Sequence, residues 1–375
     1  MIQNWKFPAA LAALAAVGIC CLSASWAEPP TGGKNASPSY QIVELDSADG
    51  LLSAGAEYIN NGGLVVGGVH DLFLDDNRAA CWTLAADGAT VTSTLQLLDG
   101  GSAAFGVNDA GEIVGELDGN AVYWRNRDAT AIVLPASPVF NAASGAIAIN
   151  DNGVICGWAR EPDGLQVAVV WRVNVNAMDD TVSIYGPSVL PQFSPDHHYA
   201  AAISDNVAGD ALVAGGSFGG DVSVARAWVI RSHPDGTVGV HDGPITLDVG
   251  NARGVNDNGL ICGHAAPDAV VWDFLSGARQ TLDRTGSRGK TYSTAQGNAI
   301  NSAGAVAGYA TAELKPAAVV WPSPDAPMIV LDKFLKNSAI SELNYAKAVN
   351  DSGYVVGSGW DGDRKMHIGF LAIPK

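Results

Sequence analysis

The sequence predicts an all-β fold: a seven-bladed β-propeller of four-stranded antiparallel blades, closed by pairing of an N-terminal with a C-terminal strand. Three observations predict it. A short pattern recurs seven times at a spacing of about 48 residues, within the range of circular or stacked repeat units. Each copy holds four short apolar runs separated by turn residues. The chain also starts and stops out of phase with the pattern, so that its first and last runs complete one unit between them. An open β-solenoid would account for the repetition but not for those complementary ends.

The first run of each copy ends in Ile or Val followed by an asparagine: Asn60, Asn108, Asn150, Asn256, Asn301 and Asn350, with Ser204 in the remaining copy. Two residues before it stands a small residue (Gly106, Ala148, Ala202, Gly254, Ala299, Ala348), except at Tyr58. Small residues suit an innermost strand, where blades converge. The Asn–x–x–Gly segment that follows predicts a tight hairpin, because Asn can bond its own backbone and Gly accepts positive φ.

The second run leads into a further glycine: Gly67, Gly115, Gly157, Gly215, Gly263, Gly308 or Gly357. The third is Ala–x–x–Trp, ending at Trp82, Trp124, Trp171, Trp228, Trp272 and Trp321, with Ala372 in the last copy. Runs such as Ala168-Val169-Val170-Trp171 are apolar on both faces, as a strand buried between sheets requires. The fourth run ends at Leu45, Leu98, Leu134, Leu190, Leu247, Leu282 or Leu331, each followed by Asp or Pro.

Residues 1–27 read as a secretory signal peptide: Lys6, an uncharged apolar stretch from Ala9 to Leu22, then Ser25-Trp26-Ala27 as a cleavage site. Residues 28–39 read as a flexible leader, and 40–375 as one seven-repeat domain with no transmembrane span after cleavage. The expected location is the outside, the periplasm or the surface of a bacterial cell. A net charge of −17 argues against nucleic acid or anionic lipid as partners. Cys81, Cys156 and Cys262 fall in separate copies inside apolar runs, so buried free thiols are expected rather than a disulfide framework.

The pattern resembles the bacterial extracellular HAF repeats. Ile149-Asn150-Asp151-Asn152-Gly153-Val154-Ile155-Cys156-Gly157 matches their (Ile/Val)–Asn–x–x–Gly–x–(Ile/Val)–x–Gly element. The second element of that family, His-Ala-Phe-like and followed by Trp, keeps its Ala and Trp here. Its His position holds Arg78, Asn120, Val167, Val224, Asp268, Ala317 and Ile368. The resemblance implies a secreted or surface-exposed repeat protein and carries no catalytic residues.

Function is sought where the copies disagree. The connections from second to third strand carry His70, Asp71, Trp158, Arg160, Phe218, His264, Tyr309, Trp360, Asp361, Asp363, Arg364 and His367, and those from fourth to first add Phe140, His197, His198 and Tyr199. Aromatic platforms with polar neighbours suit a glycan or a peptide. The ligand-binding residues expected are His70, Trp158, Arg160, Phe218, His264, Tyr309, Trp360, Asp361, Arg364 and His367. The expected protein is a monomeric, non-enzymatic binder of a glycan, peptide or protein. The alternatives are a polysaccharide hydrolase or lyase on the same scaffold, or a structural envelope component.

No phosphate loop or His-Glu-x-x-His occurs in the sequence. No cofactor is called for. Ca²⁺ is the one cation that the post-leucine aspartates Asp46, Asp99, Asp248, Asp283 and Asp332 would admit, although turn initiation explains them equally. His197-His198 beside Asp196 matches no zinc spacing and reads as a loop pair.

Overall fold

In the Ala–x–x–Trp runs both faces of the strand are apolar, and burial on both sides is the outcome: Trp82, Trp124, Trp171, Trp228 and Trp321 are at most 1% exposed. The computed structural model describes residues 38–375 except 49–51, 72–75, 88–89, 137–142, 177, 193–194, 208, 221, 234, 287–288 and 337–339. The signal peptide and most of the leader predicted for 1–39, together with Phe140, lie outside the described residues. Seven four-stranded antiparallel sheets follow one another along the chain.

Blade 1 is Leu52–Ile59, Val65–Asp71, Asp76–Asp87 and Thr90–Leu97. Blade 2 opens with Ala103–Val107, blade 3 with Ser144–Ile149, blade 4 with His197–Ile203, blade 5 with Asn251–Val255 and blade 6 with Thr294–Ile300. Blade 7 is Ile340–Val349, Val355–Asp361 and Met366–Pro374, completed by Tyr40–Glu44 from the other end of the domain. Tyr40 pairs with Pro374 and Glu44 with Phe370, which closes the ring as predicted. Among the described residues no helix is long and apolar enough to cross a membrane.

The repeated residues join blades as well as shaping them. Each asparagine accepts a local backbone N–H, as Asn301 Oδ1 does from Ala305 at 2.8 Å. Its Nδ2 then donates to the carbonyl of the equivalent asparagine one blade on: Asn60 to Asn108, Asn256 to Asn301, Asn301 to Asn350 and Asn350 back to Asn60, at 2.8 to 3.1 Å. Ser204 receives such a bond from Asn150 but has no second arm to pass it on.

A second circle runs through the next residue. The backbone N–H of Asp109 donates to Asp151 Oδ1, that of Asp205 to Asp257 Oδ1 and that of Asp351 to Asn61 Oδ1. The step from blade 4 to blade 5, which the Ser204 copy leaves open in the first circle, is closed in the second at 2.7 Å. Each bond is worth about 1 kcal/mol net, so their value lies in circumferential register.

The tryptophan and leucine markers are coupled in the same way. Trp124 Nε1 donates to Asp99 O at 2.8 Å, and Trp82, Trp171, Trp228 and Trp321 reach Asp46, Pro135, Pro191 and Asp283. These are the residues just after the leucines, in the preceding blade. Trp272 is the exception: its Nε1 is buried with no hydrogen-bond partner among the described residues. In the blade before it the fourth strand runs on through Asp248 to Val249, and Asp248 pairs with Ala225 instead.

A test follows from that difference. Trp124→Phe strands a buried carbonyl and should cost about 1–2 kcal/mol beyond its packing loss, whereas Trp272→Phe removes an orphaned donor and should cost less. Thermal unfolding of the two variants measures the gap; equal losses would contradict it. The three described cysteines are free and buried.

Candidate functional site

In every blade the first two strands slip register at an equivalent place: Ala56/Tyr58, Ala104/Gly106, Ala146/Ala148, Ala200/Ala202, Ala252/Gly254, Gly297/Ala299 and Ala346/Ala348; blade 7 also slips at Ile340/Glu342 and Leu343/Tyr345. The recurring second-strand glycine faces this bulge. A Cβ on Gly67 would stand 2.1 Å from Gly55 O, and one on Gly357 would stand 1.9 Å from Tyr345 O. Only glycine lets the bulged backbone come so close. A bulge re-aims the side chain it carries. The residues so placed are Glu57, Phe105, Ile147, Ala201, Arg253, Asn298 and Lys347, and all seven line a central channel of about 270 Å³.

The scaffold residues of the repeats agree; these seven do not. Glu57 and Lys347 pair across the junction of blades 1 and 7 at 2.9 Å. Asn298 Nδ2 donates to Ala346 O at 2.8 Å. Phe105, Ile147 and Ala201 make an apolar arc. Arg253 is exposed.

Ile147, Ala201 and Arg253 also line a second space, a cleft of about 390 Å³ at blades 3, 4 and 5 that borders the channel. Its other walls are Trp158, Gln166, Tyr199, Ala200, Phe218, Ser223 and Asn251. Phe218 is 39% exposed and stacks on His197 with ring centroids 5.1 Å apart. Tyr199 donates its hydroxyl to Asn251 Oδ1 at 3.0 Å. The Arg253 guanidinium lies 5.3 Å from the Tyr199 ring centre, and that of Arg160 lies 5.9 Å from that of Trp158. Gln166 gives its backbone N–H to His197 Nδ1 at 3.0 Å, which ties blade 3 to blade 4 beneath the aromatic wall.

Of the ten residues expected from sequence, Trp158 and Phe218 line this cleft and Arg160 covers Trp158. His264 and Tyr309 lie within electrostatic reach of Arg253. Burial pushes the His264 imidazole below its usual value, Asp268 pulls it back and Arg253 adds to the depression. The others are elsewhere. His70 meets Asn77 in blade 1, and Trp360 packs edge-on against His367 in blade 7.

Asp361 is fully buried, and its carboxylate accepts from the backbone and guanidinium of Arg364, which also pairs with Glu44. Burial alone would raise the Asp361 carboxyl, but those bonds and the Asp363 N–H hold it below its usual value. Asp361 and Arg364 thus bind each other and the closing strand.

Most of these side chains sit on strands rather than in the loops to which they were assigned. The second strands run past the marker glycine because alternate residues, Val69, Ala159, Ala265 and Ala310, remain buried. His197, His198 and Tyr199 likewise begin the first strand of blade 4, with His198 fully buried, so the histidine pair is not a loop pair. Sequence reasoning missed Gln166, Ser223, Asn251 and Arg253. Arg253 had a signal: the position three before the asparagine reads Glu, Phe, Ile, Ala, Arg, Asn, Lys through the seven copies.

The turns form a carboxylate ring of Asp109, Asp151, Asp205, Asp257 and Asp351, with Asn61 and Ser302. The post-leucine aspartates are not part of it; they accept nearby N–H or O–H groups, as Asp46 does from Ala48 and Asp332 from Leu343. Among the described residues no group of three or more His, Cys, Asp or Glu is arranged to hold a metal. Tyr58 lines both the space within this ring and the channel. Desolvation, then Asp109, Asp205, Asp351 and Asp151, push its phenol up to about 12. A side chain felt by four blades stands near the axis, and it fills the position that is small in the other copies.

Burial raises the Asp205 carboxyl from 3.8 to about 6; the Asp151 N–H opposes this, and Asp151, Asp257 and Asp109 reinforce it. A carboxyl that holds its proton more tightly when folded costs stability as the pH rises from about 4 to about 6, and the loss persists above that. Asn61 already fills this ring position in blade 1, so Asp205→Asn fits. The variant should melt higher than the parent near pH 7, by about 1 kcal/mol after solvent screening, with the gap closing near pH 4. A gap independent of pH would contradict this.

No family model and no curated protein matches the chain. Among solved structures it is similar to fructan 1-exohydrolase IIa from Cichorium intybus, at 9% identity and a TM-score of 0.33, over 90% of this chain and 57% of that one. The same enzyme in complex with 1-kestose gives 9% identity and a TM-score of 0.31 over the same shares. The chain spans just over half the length of these proteins, and likeness this distant says nothing of its chemistry.

Proposed function

We propose that the protein is a secreted, monomeric, non-enzymatic propeller that binds a glycan in the cleft of blades 3, 4 and 5. One observation supports this above others. Trp158, Tyr199 and Phe218 converge with Gln166, Asn251 and Arg253 around a space of about 390 Å³ that borders the channel. Ligand sites of this size join aromatic walls to a few placed polar groups. Flat apolar faces take the C–H faces of a sugar ring, and amide and guanidinium groups take its hydroxyls. The cleft lining among the described residues includes no Asp or Glu, whereas glycoside hydrolysis uses a carboxylate pair. This supports binding without cleavage.

Secretion through residues 1–27 and kinship with HAF repeats belong to the same proposal. N-terminal sequencing of the exported protein should begin near Glu28.

The decisive experiment is a glycan array followed by calorimetry. A glycan should bind the parent, and Trp158→Ala should weaken it about tenfold or more through loss of its stacking face. Absence of any glycan ligand, or unchanged affinity in Trp158→Ala, would overturn the reading. Chelation during the same titration tests whether Ca²⁺ takes part.

A further inference from the structure

We propose that the ligand is an acidic glycan, and that Arg253 selects it by pairing with a sugar carboxylate. The inference rests on the reading of the cleft as a glycan site. The chain carries a net charge of −17, yet the cleft lining among the described residues has no carboxylate. Two guanidinium groups lie over its aromatic walls instead, Arg160 at Trp158 and Arg253 at Tyr199. Several arginines elsewhere are matched by acids: Arg231 with Asp210 at 2.7 Å, Arg284 with Asp268 at 2.6 Å, Arg125 with Asp180 at 2.8 Å. Arg253 has no ion pair or hydrogen bond among the described residues. In a protein with so many acids, an arginine left unmatched on an aromatic wall is a place for an acid from outside.

Geometry adds to charge. Arg253 is the bulged residue of blade 5, so its backbone is fixed by the ladder on both sides, Ala252 to Gly263 and Gly254 to Cys262. Among the described residues it is the one charged side chain shared by cleft and channel. The other channel cation, Lys347, is taken by Glu57. Stacking on Tyr199 leaves the guanidinium edge free, and that edge matches a carboxylate with two parallel N–H···O bonds. Asn251, whose Oδ1 accepts from the Tyr199 hydroxyl, also lines the cleft and has its amide nitrogen left as a donor. The carboxylate ring of the turns lies beyond Tyr58, away from the cleft.

The test compares oligogalacturonate, a neutral galactose oligomer of equal length and a sulfated one, on the parent and on Arg253→Ala. The bulge carries alanine in blade 4, at Ala201, so the variant keeps a side chain the scaffold already accepts. The uronate should bind the parent at least about tenfold tighter than the neutral oligomer, and Arg253→Ala should abolish that preference by weakening the uronate far more than the neutral oligomer. Arg253→Lys should restore part of it, because a point charge lacks the bidentate fork. If the neutral oligomer binds the parent as tightly as the uronate, if the sulfated one is preferred, or if Arg253→Ala keeps the preference, the inference fails and the glycan site stands. If none of the three binds while another glycan does, the inference fails alone; if no glycan binds at all, the site reading fails with it.

Discussion

Gly67→Ala is expected to cost on the order of 3 kcal/mol or more and to leave little folded protein at moderate temperature. The added Cβ would stand 2.1 Å from Gly55 O and 3.0 Å from Ala56 Cα. Both are backbone atoms of a strand held in the ladder, so no flexible side chain can give way. The bulge that brings that carbonyl close is the same bulge that turns Glu57 towards the channel. Losing it would slip the register between the first two strands of blade 1. Gly55→Ala is the matched control, because a Cβ there meets nothing within 4 Å. It should be neutral or slightly stabilising, since alanine restricts the unfolded chain. Urea unfolding of both variants decides it; similar losses would mean that the glycines serve flexibility rather than close approach.

Removing residues 38–46 should have the second large effect. Those residues form the fourth strand of blade 7 and the hook beyond it. Leu45 is 1% exposed and donates its N–H to Gly369 O at 2.9 Å. Tyr40 packs on Phe334 with ring centroids 5.6 Å apart, and Asp46 O accepts from Trp82 Nε1 of blade 1 at 2.7 Å. Burying side chains such as Leu45 and Tyr40 contributes about 2 kcal/mol each, and their loss together approaches the stability of an ordinary domain. The truncated chain would expose the edge of Met366–Pro374, a template for aggregation. It should be recovered mainly as aggregate, and a synthetic 38–47 peptide supplied during refolding should restore monomer. A soluble, cooperatively folding truncation would contradict closure as the source of stability.

The two predictions show what was legible in the sequence and what was not. Period, strand count, turn chemistry and the complementary ends are local patterns, so the blades and their closure could be read from the residues. The partners of the markers could not. Nothing in Asn301 announces that its amide reaches Asn350 of the next blade, because that contact exists only once the neighbouring blades have packed together. Gly67 shows the same limit: a recurring glycine is visible, but the carbonyl that excludes its Cβ is not. The candidate cleft was legible only in part. Trp158 and Phe218 stood out as unrepeated aromatics and do line the cleft. Arg253 did not, since the bulge carries this varying residue inside a strand that otherwise follows the repeat. Asp361 and Arg364 were conspicuous because they are polar, and the fold uses them on each other.

Hydrogen exchange in the presence of a bound oligosaccharide tests most directly the claim that agreeing positions build the ring and disagreeing ones bind. Protection is predicted around Ile147, Trp158–Gln166, Tyr199–Ala201, Phe218–Ser223 and Asn251–Arg253, with the turns at Asn60, Asn108 and Asn350 unchanged. Protection confined to those turns, or to the blade 7 hairpin at Asp361–Arg364, would contradict it.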